Sequence, residues 1–239
     1  MEPNRVVPGA RQRVREAVTA DIVAEARRQL SEVGAGALSL RAVARELGMA
    51  SSAMYRYFKS RDELLTALIV EAYDALGNTA EAAAKMSDRA FMRWQAVCRA
   101  IRSWALEHPQ EYALIYGSPV PGYTAPEVTL APGSRIGLLL GSLLADAQRS
   151  GELDPPESPS LPRAVAAQIK PLAEVAMPGV PLATAALGVL AWAQIFGQIN
   201  FELFGRFDDL MSDPAVLFDH AIVTMTTELG IGPSRTGRS

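Results

Sequence analysis

Apolar residues recur at helical spacing along most of the chain. Ile22, Ala26, Leu30 and Val33 step by four, four and three and so share one helix face. Residues 1–12, with Pro3, Pro8 and Gly9, show no such period and are expected to form a flexible arm, with helix beginning near Val14. Gly34 and Gly36 end that helix, and Ser39 is the expected N-cap of the next. Leu40, Val43, Ala44 and Leu47 then follow the i, i+3, i+4, i+7 pattern over barely two turns. Gly48 stops this second helix, and a short third segment runs from Ser51 to about Phe58. Ser60-Arg61-Asp62-Glu63 has the form of a capping box, with Ser60 at N-cap and Glu63 at N3. The helix it opens (61–78) carries Leu64, Leu65, Leu68, Ile69, Ala72 and Leu76 at helical spacing and connects to the rest of the chain.

The remainder reads as helical too. Phe91 to Leu106 is amphipathic through Trp94, Val97, Ile101 and Trp104. His108-Pro109 breaks it, and Gln110 to Tyr116 forms a further short helix. Gly117 to Gly133 is turn-rich, Arg135 to Ser150 is helical, and the proline-dense stretch from Asp154 to Pro162 is a loop. Two last helices are expected at Leu182–Phe204 and Pro214–Leu229, followed by a frayed tail over 231–239. No strand pattern occurs. The expected organisation is all-α: an arm (1–12), a three-helix helix-turn-helix domain (13–60), and a larger helical domain (61–230).

Composition narrows the class. With 49% hydrophobic and 21% charged residues over 239 positions, the chain is globular rather than disordered. Its one cysteine, Cys98, excludes an intramolecular disulfide and points to a reducing, cytoplasmic setting, with Cys98 as a buried small hydrophobe. His108, His220 and Cys98 are too few for a four-ligand His/Cys zinc site, so no metal or cofactor is expected. Met1 to Arg15 lacks the apolar core of a secretory signal. Leu182 to Phe201 is uncharged and long enough to span a bilayer, but it contains Thr184, Gln194, Gln198 and Asn200. A helix buried in a subunit interface explains it better than a membrane span.

The formal net charge is −3, unevenly spread. Up to Asp62 there are 11 Lys and Arg against 7 Asp and Glu, a net of +4, while the rest has 12 against 19, a net of −7. A basic quarter on an acidic body points to a small module that meets a polyanion. The three short helices suit that role, because one α-helix fits the major groove of DNA while another packed across it fixes its angle. Leu40, Val43, Leu47 and Met54 would join the helices. Ser51, Ser52 and Ala53 are small enough for close approach to base edges, and Tyr55, Arg56, Lys59 and Arg61 offer hydroxyl and cationic groups to phosphate. Arg5, Arg11, Arg13 and Arg15 are either further phosphate contacts or a solvated tail.

The run Leu38-Ser39-Leu40-Arg41-Ala42-Val43-Ala44-Arg45-Glu46-Leu47-Gly48-Met49, with Met54-Tyr55-Arg56-Tyr57-Phe58-Lys59-Ser60-Arg61-Asp62-Glu63-Leu64-Leu65, strongly resembles the N-terminal domain of the TetR family of bacterial transcriptional regulators. The resemblance covers about residues 15–76. It implies that Ser39 caps the second helix and contacts phosphate, with Arg41 near the same strand. It places Ser51, Ser52 and Ala53 at the variable positions of the recognition helix, Tyr55 at a phosphate or base edge, and Arg61 against phosphate where Lys is usual. Ala50 departs from the pattern, since Ser commonly caps that helix. Tyr57 and Phe58 read as packing residues.

Further on, Trp104-x-x-x-His108-Pro109-x-x-Tyr112, Tyr116-Gly117-Ser118-Pro119 and Trp192-x-x-x-Phe196-Gly197 look like one subgroup of TetR C-terminal domains, which often has His where this chain has Phe196. That resemblance implies a small-molecule effector and a homodimer through the last two helices, paired with their symmetry mates. Trp104, Tyr112, Tyr116, Tyr123 and Phe196 either line an apolar cavity or fill the core, and His108 is either a turn residue or a ligand contact. Effector binding between the connecting helix and the C-terminal core would tilt that helix and alter the spacing of the two recognition helices.

A helical enzyme or small-molecule carrier without DNA function lacks support: no His-Glu-x-x-His, Gly-x-Ser-x-Gly, phosphate-cradling Gly loop or Cys-x-x-Cys occurs, and Asp208-Asp209 lies in a polar turn. A helix-turn-helix dimer acting through protein contacts alone fits poorly with the arginine excess before Asp62.

Overall fold

The computed structural model describes residues 9–154 and 161–232. Among them are ten α-helices and no strand: α1 (Ala10–Ala37), α2 (Leu40–Glu46), α3 (Ser51–Met54), α4 (Arg61–Ala84), α5 (Ala90–Glu107), α6 (Pro109–Tyr116), α7 (Leu130–Ser150), α8 (Arg163–Ala176), α9 (Leu182–Leu203) and α10 (Pro214–Glu228). Contacts sort the chain into two units, residues up to Ala72 with Gln110–Thr129, and Tyr73–Pro109 with Leu130 onward. The division thus falls within α4 rather than at residue 60, and Gln110–Thr129 groups with the N-terminal unit.

In the first unit, Ile22, Val23 and Ala26 of α1, Leu40, Val43 and Ala44 of α2, Met54 of α3 and Leu64, Leu65 and Leu68 of α4 form one buried cluster. Leu114, Val120 and Tyr123 pack against it. Arg27 ties the unit together, reaching Glu71 at 2.5 Å and Glu111 at 2.6 Å. Helix α1 starts at Ala10, four residues before the expected start, so only the part of the expected arm over residues 1–8 lies outside the described residues. The expected stop at Gly34 holds in substance. Its φ of 73° interrupts the helical backbone although helical bonding resumes to Ala37.

In the second unit, α5, α7, α8, α9 and α10 pack on one another. Helix α7 begins at Leu130, ahead of the expected Arg135, and takes in Pro132 and Gly133. Proline is tolerated there because first-turn N–H groups have no intrahelical partner. Helix α8 was not anticipated, since the interior Pro171 and few buried positions conceal it. It fits closely nonetheless: a Cβ on Gly141 of α7 would lie 2.5 Å from the Ala176 carbonyl oxygen, so only glycine allows this approach. The expected loop over Asp154–Pro162 falls mostly on residues 155–160, outside the described residues, as does the tail beyond Gly232. Ile231, counted with the tail, is buried.

Arg102 of α5 makes a two-pronged ion pair with Glu202 of α9, at 2.7 and 2.5 Å, and lies over the Phe218 ring of α10. Arg135 of α7 holds Asp74, Asn78 and Glu81 of α4. Cys98 is buried as expected, and burial pushes its thiol pKa far up, which keeps it protonated and unreactive. Helices over Glu127–Ser150 and Leu182–Leu203 are long and apolar enough to cross a membrane by length and composition. Thr184, Ala185, Gly188, Ile195 and Ile199 of α9 are nevertheless buried within this chain.

Candidate nucleic-acid interface

The interface is built on the α2–α3 turn. Gly48 adopts φ 63°, a left-handed conformation that glycine enters without steric cost, and Met49 N–H then donates to Ala44 O at 2.8 Å. This sharp reversal sets α3 across α2. Ser39 occupies the N-cap of α2 with extended backbone, but its hydroxyl makes no capping bond, leaving that group available to another partner. Ala50 is the N-cap of α3, so the departure from the family pattern leaves the helix start in place without a side-chain cap.

Helix α3 has two distinct sides. Met54 is buried and Phe58 nearly so, anchoring it to the core. Ser51, Ser52, Tyr55, Arg56 and Lys59 are exposed, and Ala53 is half-buried. Helical turns continue past Met54, with Tyr57 and Phe58 N–H groups donating to Met54 O. Arg41 on α2 is exposed as well. The structure therefore gathers serines, a tyrosine hydroxyl and cations on the outward side of a short helix that is rigidly held from behind.

Arg61 makes backbone contacts that the resemblance does not imply. Its guanidinium donates to the carbonyl oxygens of Leu38 (3.2 Å), Ala35 (2.6 Å) and Gly36 (3.2 Å). It thereby satisfies backbone left open where α1 ends and locks α4 to the α1–α2 connection. Arg61→Ala is expected to lower the stability of this unit by about 2 kcal/mol, because charge-assisted hydrogen bonds are lost, while leaving the salt dependence of DNA binding unchanged. A slope flattened by one unit with stability intact would put Arg61 on phosphate instead. Next to it, Ser60 Oγ accepts from Glu63 N–H at 3.1 Å, and the Glu63 carboxylate accepts from Lys59 N–H at 2.6 Å. The capping box is present with its reciprocal bond shifted by one residue.

The six residues considered for effector binding are divided between the units. Tyr112, Tyr116 and Tyr123 belong to the first. Tyr112 is fully buried with its ring 5.3 Å from that of Tyr116, and burial raises its hydroxyl pKa. Tyr123 packs on the helix-turn-helix core, its hydroxyl 2.9 Å from that of Thr66. Trp104, His108 and Phe196 belong to the second unit. Trp104 and Phe196 are buried, and exposed His108 lies 5.1 Å from the Trp104 ring. Also in the second unit, the buried Trp94 Nε1 and Gln95 Nε2 on α5 have no hydrogen-bond partner. Sequence periodicity marks Trp94 only as a core residue, and nothing in its spacing signals an unpaired donor.

Residues 22–68 match the family described as bacterial regulatory proteins, tetR family, and residues 94–225 match the tetracyclin repressor-like C-terminal domain. The chain is 39% identical over 218 residues to the HTH-type transcriptional regulator Rv1816 of Mycobacterium tuberculosis, covering 88% of this chain and 92% of that one. Among solved structures it is similar to the putative regulatory protein SCO4313, with TM-score 0.75 and 32% identity over 92% of this chain and all of that one. The FadR regulator of Bacillus subtilis, solved with stearoyl-CoA, shares the fold at TM-score 0.57 and 17% identity, covering 87% of this chain and 98% of that one. Both domain matches and a relative of this identity along nearly the whole chain show that the protein belongs to the TetR family of bacterial transcriptional regulators, a family of DNA-binding, ligand-responsive proteins and not of enzymes.

Proposed function

We propose that this regulator is a cytoplasmic repressor that binds a palindromic operator as a homodimer and is released by an apolar or amphipathic effector. The observation that carries the DNA half is α3 with the turn that follows it, where Met54 and Phe58 are buried and Ser51, Ser52, Tyr55, Arg56 and Lys59 are exposed. In this reading Ser52, with Ser51 and Ala53, faces base edges, while Ser39, Arg41, Tyr55, Arg56 and Lys59 hold phosphate. Arg61 positions α3 and α4 from behind.

The dimer half is supported by α9 and α10. Leu190, Gln194 and Phe201 lie on one face of α9 and Val216, His220 and Val223 on one face of α10, and all are exposed. Gly197, on the same α9 face, has nothing within 4 Å of where its Cβ would stand. Glycine inside a helix costs about 1 kcal/mol relative to alanine, and open space at that position suits the close approach of a partner helix. Two such seams pair α9 and α10 with their symmetry mates, which accounts for the uncharged length of α9 without a membrane.

The effector half is supported by the buried aromatic side chains Trp104 and Phe196 and by the unpaired Trp94 and Gln95 donors, which suit an amphipathic molecule with an acceptor group. An effector that binds the DNA-free state more tightly releases the operator by linkage. Hydroxyl-radical footprinting on DNA from directly upstream of its own gene, paired with sedimentation, tests the assembly. The expected result is two protected stretches about one helical turn, ~34–36 Å, apart under a two-chain particle. A single protected stretch under one chain would contradict it.

A further inference from the structure

We propose that the first two turns of α1 form a second DNA-contacting element, a cationic helical extension that grips phosphate beside the recognition helix and widens the operator footprint. The inference rests on the DNA-binding reading above and adds to it a surface outside the helix-turn-helix.

Every residue from Ala10 to Ala17 is exposed, so among the described residues no buried side chain anchors this stretch of helix. It also lacks the usual local supports. Gly9, its N-cap, accepts from the Gln12 and Arg13 N–H groups through its backbone carbonyl only, and no acidic residue lies in the first turn. Instead Arg11 and Arg13 stand there, with Arg15 in the second turn. Cations at a helix N-terminus oppose the helix dipole, so Arg11 and Arg13 do not serve the helix itself. A polyanion beside them reverses that penalty.

Their placement is equally specific. Arg15 Nη2 donates to the backbone carbonyl of Arg56, at 3.5 Å, just past the end of α3. The start of α1 therefore lies alongside the cationic end of the recognition helix, next to the exposed Arg56 and Lys59. Arg11 falls one turn before Arg15 on the same face, about 6 Å further along the helix axis. The two line an open groove with Glu16 and Glu71, whose carboxylates are taken by other side chains, Glu16 by Gln12 and Glu71 by Arg27. Among the described residues, no salt bridge involves Arg11, Arg13 or Arg15. Two uncompensated guanidinium groups, Arg11 and Arg15, on one helix face beside α3 match the spacing and charge of a phosphate backbone, while Arg13 lies on the other side of the helix.

The test replaces all three with alanine, the strongest helix former, so the helix is retained. Binding to a duplex taken from directly upstream of the chain's own gene is measured over a range of salt. The expected result is a log-log salt slope flatter by about three to four units for the dimer, since the phosphate contacts of Arg11 and Arg15 are lost on both chains and each contributes about 0.9. Lysine at the same three positions restores the slope. In hydrogen exchange, amides of residues 10–17 gain protection in the wild-type protein when that duplex is added. A steep wild-type slope that the alanine variant keeps, with no protection gained, overturns the extension and leaves the helix-turn-helix reading standing. A wild-type protein without salt-steep binding overturns both.

Discussion

Replacing Ser52 with tryptophan is expected to collapse operator binding to the level of unrelated DNA, a loss of about a thousandfold or more, the usual gap between specific and non-specific binding. Ser52 is the second residue of α3 and is exposed, outside the buried cluster formed by Met54, Phe58 and their neighbours. A base edge read from this position requires a small side chain, because the helix axis must lie deep in the groove. An indole there holds the helix away from the bases while the phosphate contacts on its flank survive. Residual binding should thus remain salt-dependent but lose sequence preference. The helical content, melting temperature and assembly state should match the wild type, since the site lies on the outer surface. Unchanged preference among competing duplexes would show that Ser52 does not face the groove.

Arg102→Ala is the substitution expected to cost most stability. The guanidinium and the Glu202 carboxylate are 18% and 14% exposed, so the pair is largely removed from water. Each satisfies the other through two short hydrogen bonds, and together with the Phe218 ring they join α5, α9 and α10. Removing the arginine leaves Glu202 buried without its cation, which costs about 3 kcal/mol, the low end for a broken buried pair because both groups keep an edge in solvent. In a unit of this size that is roughly 6–12 °C in melting temperature. The double replacement Arg102→Met with Glu202→Leu should recover most of the loss, since no charge is then stranded. A single variant that melts with the wild type would show that the pair adds nothing to the fold.

The helix-turn-helix was legible because its signals are local. Gly48, the Ser60–Glu63 box and the alternation of Leu40, Val43 and Met54 with polar residues each act within a few positions. The last two helices were legible for the same reason, through long uninterrupted apolar patterns. What escaped depends on contacts distant in sequence. The carbonyl partners of Arg61 lie 23 to 26 residues earlier, so nothing in its local sequence announces them. Nothing local indicates that Gln110–Thr129 groups with the N-terminal unit, because the ties are made by Arg27 to Glu111 and Thr66 to Tyr123. Helix α8 escaped because Pro171 interrupts its pattern and because Ala173 and Ala176, its buried residues, are too small to stand out as an apolar face. The effector candidates divided between units because aromatic residues in sequence motifs show only that they are shielded, not what shields them.

The central claim is sequence-specific binding through α3. Fluorescence anisotropy of the purified protein on DNA from directly upstream of its own gene, at two salt concentrations and with an unrelated duplex as competitor, tests it most directly. The account predicts tight binding that withstands the competitor and weakens steeply as salt rises. Binding to that DNA no stronger than to the unrelated duplex, there and across a genome-wide selection of bound fragments, would contradict it.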